Sequence, residues 1–167
     1  MNIYFAGTPN SAAEILKSIA LNDLFSIKGV ITQPDKKGKR GNQRIESPVS
    51  LMAKSLNLQT FKPHNLAKEE IQNDFDITNA DVLVVVAYGN LIPTWILKSN
   101  IKAINIHYSL LPSYRGASPI QSSLLNNDKK TGVTFMQMSE DLDAGKVIKC
   151  FEVPINNNDN KSSLEKK

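Results

Sequence analysis

Hydrophobic and polar positions alternate along the chain in two periods, one of strands and one of helices. Residues 2–6 are a short apolar run that ends in Gly7-Thr8-Pro9-Asn10, and residues 11–21 then carry apolar positions at helical spacing. Residues 27–32 read as a second strand. Ser47-Pro48 predicts a helix start continuing to residue 56, because serine caps well and proline is tolerated in the first turn. Residues 58–61 read as a weak strand and residues 69–75 as helical. The run Asp81-Val82-Leu83-Val84-Val85-Val86-Ala87 is unbroken and β-branched, the mark of a central parallel strand covered on both faces. Residues 102–107 give the next strand and residues 118–125 a helix with Pro119 in its first turn. Residues 132–138 and 147–153 complete the strands. Strands alternating with helices predict an α/β fold with a doubly wound, mostly parallel sheet in a single domain.

Size and composition change this picture little. At 167 residues the chain fits one domain and can bury a core. Its longest apolar run, residues 82–87, is far below the ~20 residues that span a bilayer. The first residues read as a strand rather than a signal peptide, so a cytoplasmic protein is expected. With one cysteine, Cys150, and two histidines, His64 and His107, far apart, no disulfide and no metal site is expected. Cys150 sits in a strand-like run and is expected in the core. Ser162-Ser163-Leu164-Glu165 has the spacing of a capping box and predicts a helix start at Ser162.

Charge matters through its distribution. The net charge is only +4, yet Lys36, Lys37, Lys39, Arg40 and Arg44 fall within nine residues, interrupted by Gly38 and Gly41. That predicts a mobile basic loop suited to phosphates; alone, such a run is more often a solubilising surface. The first strand-to-helix turn has one glycine, Gly7, where a dinucleotide fingerprint needs three, so nothing supports NAD or FAD.

Candidate chemistry gathers late in the chain. Asn105 and His107 are two apart on a strand, so both side chains can share a face. A lone Asn-x-His is more often a satisfied polar pair. Here a loop rich in Pro, Arg and Gly follows the strand, and ligands of open α/β sheets bind beyond strand carboxyl ends. Polar groups on a buried strand also need partners, which a site would supply. Asp143 and Asp141 are equal candidates by spacing, and Asp-Ala-Gly is an ordinary turn. Arg115 could hold an anion or be a surface residue. Tyr88-Gly89-Asn90 ends the central strand, where backbone groups could pair with a planar heterocycle.

Several segments then point to one family. They are Phe5-Ala6-Gly7-Thr8-Pro9, Thr32-Gln33-Pro34-Asp35, Val84-Val85-Val86-Ala87-Tyr88-Gly89, Asn105-Ile106-His107, Ser109-Leu110-Leu111-Pro112-Ser113-Tyr114-Arg115-Gly116, Thr131-Gly132-Val133-Thr134 and Leu142-Asp143-Ala144-Gly145. In this order they resemble the folate-dependent formyltransferases, and most closely the N-terminal catalytic domain of the methionyl-tRNA formyltransferase family. The resemblance covers essentially the whole chain, residues 1–167, short of that domain's last helical portion. The family's C-terminal β-barrel domain is expected to be missing, so that the chain would be a truncated piece.

The resemblance implies a catalytic trio of Asn105, His107 and Asp143, which favours Asp143 over Asp141. It implies that Val86, Ala87, Tyr88, Gly89, Asn90 and Leu91, with Ser109, Leu110, Leu111 and Pro112, hold the donor 10-formyltetrahydrofolate. It implies that Lys36, Lys37, Lys39, Arg40 and Arg44 approach charged initiator tRNA. Asn42-Gln43 and Glu46 depart from the family pattern in that segment. In the expected reaction Asn105 donates to the oxyanion and His107 donates or shuttles a proton. Asp143 orients and charge-stabilises the imidazole, or relays a proton from the amine. Neither a metal nor a membrane is implied, and a monomer is the default. The alternatives are another amine acceptor (a sugar nucleotide or glycinamide ribonucleotide), hydrolysis of the folate donor, and a non-catalytic folate- or RNA-binding remnant.

Overall fold

The computed structural model describes residues 1–38, 44–66 and 80–167. The predicted helix at residues 69–75 lies outside the described residues, as do Lys39, Arg40 and Asn42-Gln43. Backbone packing divides the chain into two compact units, Met1–Ala103 and Ile104–Lys167.

The first unit is built on parallel strands. β1 (Asn2–Gly7) pairs in parallel with β2 (Ser26–Ile31) on one side. On its other side β1 pairs in parallel with a strand of the later chain, Val82–Val86. A short strand, Thr60–Phe61, adds to β2, also in parallel. Ile3, Tyr4, Phe5 and Ala6 are buried consecutively, as the unbroken apolar run requires when both faces are covered. α1 (Asn10–Ala20) buries Ala12, Ala13 and Leu16. Gly7 permits the close approach at the turn between them, since a Cβ there would stand 2.8 Å from Ala12 Cβ and 2.9 Å from the Val86 carbonyl.

Between these strands the basic segment is not a loop throughout. β3 (Lys36–Lys37) and β4 (Arg44–Ile45) pair antiparallel, Lys36 opposite Ile45 and Lys37 opposite Arg44. α2 (Pro48–Ser55) follows, and the Ser47 hydroxyl accepts from the Ser50 amide as the sequence predicts. In chain order Thr60–Phe61 is β5 and Val82–Val86 is β6; α3 (Thr94–Leu97) is a single turn.

The second unit is antiparallel. β7 (Lys102–His107), all but its first two residues in this unit, pairs with β8 (Lys130–Gln137), and β8 pairs with β9 (Val147–Pro154). α4 (Pro119–Leu125) lies between β7 and β8 in sequence. β9 is exposed along most of its length, and Cys150 is exposed on it, not in the core. Among the described residues the strand pairs with β8 alone, so its apolar letters do not report burial.

α5 (Lys161–Leu164) starts two residues earlier than the predicted capping box. Asn160 is its cap: its side chain accepts from the Ser163 amide at 3.1 Å, and the Ser163 hydroxyl accepts from the Asn160 amide at 3.0 Å. The reciprocal pair is thus made by Asn160 and Ser163, and Ser162 lies inside the helix. Among the described residues no helix is long and apolar enough to cross a membrane.

Candidate active site

β7 determines the geometry of the site. Its pairing with β8 sets Asn105 opposite Met136 and His107 opposite Thr134, and the strand's alternation puts Asn105 and His107 on one face. The His107 residue is 6% exposed, so its ring atoms need partners from the protein. Those partners come from two loops of the same unit.

Asp143 lies between β8 and β9 with φ 48°, a left-handed conformation that Asp tolerates better than most residues. One of its oxygens, Oδ1, accepts from Asn105 Nδ2 at 3.3 Å. The other, Oδ2, accepts from the Gly116 amide at 2.7 Å and stands 3.8 Å from His107 Nδ1. The opposite ring nitrogen, Nε2, lies 3.0 Å from the Tyr114 carbonyl. A carbonyl can only accept, so Nε2 carries a hydrogen. In the neutral ring Nδ1 then holds the lone pair, on the side of the Asp143 carboxylate.

This arrangement separates two roles that the sequence left together. The Tyr114 carbonyl, not the Asp143 carboxylate, orients the imidazole, because 3.8 Å is beyond hydrogen-bond range and 3.0 Å is within it. Asp143 is held by Asn105 and Gly116, with Oδ2 on the Nδ1 side of the ring. Among the described residues Asp141 contributes its backbone carbonyl to Ser139 Oγ, and its side chain is exposed.

Tyr114 is anchored for its task. Its backbone is left-handed at φ 56°, and its hydroxyl donates to Asp128 Oδ2 at 2.6 Å while accepting from Asn126 Nδ2 at 2.7 Å. Non-glycine residues held at positive φ cluster at functional sites, and Tyr114 and Asp143 are both of this kind.

Ser109, Leu110, Leu111 and Pro112 form the turn that leaves β7. The buried Thr134 hydroxyl donates to the Ser109 carbonyl at 2.6 Å and accepts from the Leu111 amide at 3.1 Å. Ser109 Oγ donates to the Ser113 carbonyl at 2.6 Å, and the Leu111–Pro112 peptide is cis. Gly132 lets Leu110 lie against β8, since a Cβ there would meet Leu110 Cδ2 at 2.5 Å.

Val86, Ala87, Tyr88, Gly89, Asn90 and Leu91 belong to the first unit. Val86 ends β6 in the core, and Tyr88 is buried, which pushes its hydroxyl pKa above the ordinary value. Ala87, Gly89, Asn90 and Leu91 are exposed. Ala87 and Gly89 have φ of 44° and 85°, so the loop presents backbone rather than side chains. The Thr8 hydroxyl ties it down by donating to the Tyr88 carbonyl at 2.8 Å. Of the basic residues, Lys36, Lys37 and Arg44 stand exposed on β3 and β4.

Sequence reading could not find the Tyr114 carbonyl or the Gly116 amide, because backbone groups leave no letter. Thr134 did leave a signal, a polar residue inside an apolar strand opposite His107.

The formyl transferase family profile matches residues 1–167. The chain belongs to the formyl transferase family. Solved structures agree in fold. A phosphoribosylglycinamide formyltransferase from Bacillus halodurans is 20% identical, with 99% of this chain and 86% of that one aligned at a TM-score of 0.74. A glycinamide ribonucleotide transformylase from Symbiobacterium toebii is 18% identical, with 99% and 79% aligned at 0.77. A sugar N-formyltransferase from a Shewanella species is 21% identical, with 99% of this chain and 62% of that one aligned at 0.69. The fold is therefore the α/β, mostly parallel, Rossmann-like fold of formyltransferases, and the chain is of a family that transfers one-carbon formyl groups.

Proposed function

We propose that this protein transfers the formyl group of 10-formyltetrahydrofolate to the α-amine of methionine esterified to initiator tRNA. The observation that carries formyl transfer is the convergence of Asn105, His107 and Asp143 within one unit, through contacts at 3.3 and 3.8 Å. The exposed cations Lys36, Lys37 and Arg44 favour a polyanionic acceptor.

The donor supplies an electrophilic formyl carbon. Each protein group has a distinct task around it. Asn105 Nδ2 carries two hydrogens, and only one is needed for Asp143. The second is assigned to the formyl oxygen, where one such donor is typically worth about 2.7–4 kcal/mol. His107 Nδ1 and Asp143 Oδ2 handle the proton: the attacking amine loses one as its C–N bond forms, and folate N10 gains one as its C–N bond breaks. The Tyr114 carbonyl keeps Nδ1 turned toward that exchange. The exposed backbone of Ala87, Gly89 and Asn90 is suited to pairing with the edge of the pterin ring.

A second reading keeps the chemistry and changes the amine. Two of the solved structures above bear the names of glycinamide ribonucleotide enzymes, which supports a small phosphorylated acceptor. An acceptor panel separates the two. Tetrahydrofolate release is followed with charged initiator tRNA, uncharged tRNA, glycinamide ribonucleotide, or no acceptor. Release only with charged tRNA is expected; release with glycinamide ribonucleotide would replace the acceptor assignment, and release without acceptor would mean hydrolysis.

A further inference from the structure

The antiparallel pair β3–β4 is not self-supporting. Each strand has two residues, and Lys37 lies directly opposite Arg44. Like charges facing each other across strands are destabilising, and short two-stranded ribbons are marginal in water. Something outside the pair must close it.

Two layers of contacts do so. The Thr32 and Ser47 hydroxyls lie 2.7 Å apart, joining the chain on either side of the segment. Nearer the strands, Lys62 Nζ donates to Asp35 Oδ1 at 2.7 Å and to Glu46 Oε2 at 3.0 Å. Asp35 immediately precedes β3 and Glu46 immediately follows β4. One ammonium thus fastens both ends of the ribbon, and all three side chains are partly buried. The Ser50 hydroxyl adds a 2.6 Å bond to the same Glu46 oxygen, fixing that carboxylate to α2.

The clamp has an electrostatic consequence as well. Asp35 and Glu46 are the carboxylates adjacent in sequence to the ribbon's cations. Engaged by Lys62, they are compensated; without it they would draw Lys36, Lys37 or Arg44 inward and away from any ligand. We infer that Lys62 is a positioning residue for the acceptor: it holds the ribbon closed so that the opposed Lys37–Arg44 pair faces outward toward the phosphodiester of a nucleic-acid acceptor. Glu46, a departure from the family pattern in the sequence, becomes one jaw of this clamp. The inference rests on the tRNA reading for its ligand, but not for its geometry.

The test uses the full chain and the variants Lys62→Met, Lys62→Arg and Glu46→Gln, each checked for an unchanged melting profile. Amide hydrogen exchange of residues 35–37 and 44–46 is measured without ligand, and KM and kcat are measured with charged initiator tRNA. Lys62→Met is expected to speed exchange at least tenfold and raise acceptor KM about tenfold, with kcat and donor KM unchanged. Lys62→Arg should restore both, and Glu46→Gln should fall between. Unchanged exchange in Lys62→Met would overturn the clamp. Faster exchange with unchanged acceptor KM would overturn its role in positioning. Inactivity of the wild type on charged tRNA would refute the acceptor assignment instead, while the exchange arm still decides the clamp. If Lys62→Met fails to fold, Glu46→Gln carries both readouts.

Discussion

The two units of this chain carry polar function in opposite ways. In Met1–Ala103 the strands β1, β2, β5 and β6 are parallel, and runs such as Ile3-Tyr4-Phe5-Ala6 are buried without a break, so that stretch offers no reactive side chain. Polar work is displaced to the ends: an exposed backbone loop after β6 and a charged ribbon fastened by Lys62. In Ile104–Lys167 the antiparallel strands carry Asn105, His107 and Thr134 on their own length. Each is retained because loops of the same unit supply a partner. The parallel strands leave chemistry to the loops beyond them; the antiparallel unit carries it on strand residues themselves, up to His107 at the end of β7, because its loops return to satisfy them.

The largest expected break of this comparison comes in the second unit. His107→Ala should lower kcat by roughly 10²–10⁴, the usual contribution of a positioned acid–base group, with donor affinity retained. Rapid-quench turnover alongside folate titration checks both. Thr134→Val comes next: it keeps the shape but removes the bonds to Ser109 and Leu111. Leaving the Leu111 amide unpaired should cost about 1–3 kcal/mol in denaturant unfolding.

In the first unit the vulnerable feature is backbone. Gly89 sits at φ +85°, and a Cβ there would stand 2.5 Å from Gln33 Nε2. Gly89→Ala should therefore add about 1–2 kcal/mol of strain, seen as a roughly tenfold rise in donor KM with little change in kcat. The neighbouring Leu91→Ala, with its side chain in solvent, should change neither. A large loss of kcat in Leu91→Ala would break the contrast between backbone and side-chain function.

Two smaller effects follow from ion pairs. A bond from Ser50, then the Lys62 contact, holds Glu46 below its ordinary 4.5; partial burial pulls Lys62 down, but its bonds to Asp35 and Glu46 raise it above 10.5 on balance. Glu46 thus stabilises the ribbon above its unfolded pKa and ceases to as pH falls through its lowered folded value. Lys62 stabilises it below its unfolded pKa and ceases to as pH rises through its raised folded value. Exchange protection of the ribbon should be flat from about pH 5 to about pH 10 and decline on both sides. In the second unit the Lys167 ammonium and the Asn156 amide hold Asp159 at about 2. Its contribution is complete above the ordinary 3.8 and lost as pH falls through about 2. Lys167→Met should move its carboxyl NMR titration upward, toward 3.8.

How much of this was legible in the letters depends on the kind of group. Long apolar runs gave β1 and β6 because burial on both faces leaves an unbroken signature. The two-residue spacing of Asn105 and His107 survived intact because a strand fixes which side chains share a face. By spacing alone Asp143 and Asp141 were equivalent; what distinguishes them is three-dimensional, the reach of Asp143 to Asn105 and Gly116. The β3–β4 ribbon has the letters of a loop, since two residues per strand are too few for a period. Cys150 stands exposed where its letters predict burial, because an edge strand can have the same letters as a buried one. The orientation of His107 was hidden entirely, as a carbonyl holds it.

The most direct test of the account is single-turnover formyl transfer by Asp143→Asn beside the wild type, with donor affinity measured in parallel. The amide keeps the shape of the carboxylate but loses its charge and its capacity to take a proton. The account predicts a rate at least a hundredfold lower with an unchanged donor Kd. A rate within a few-fold of wild type would contradict the assignment of proton handling to His107 and Asp143.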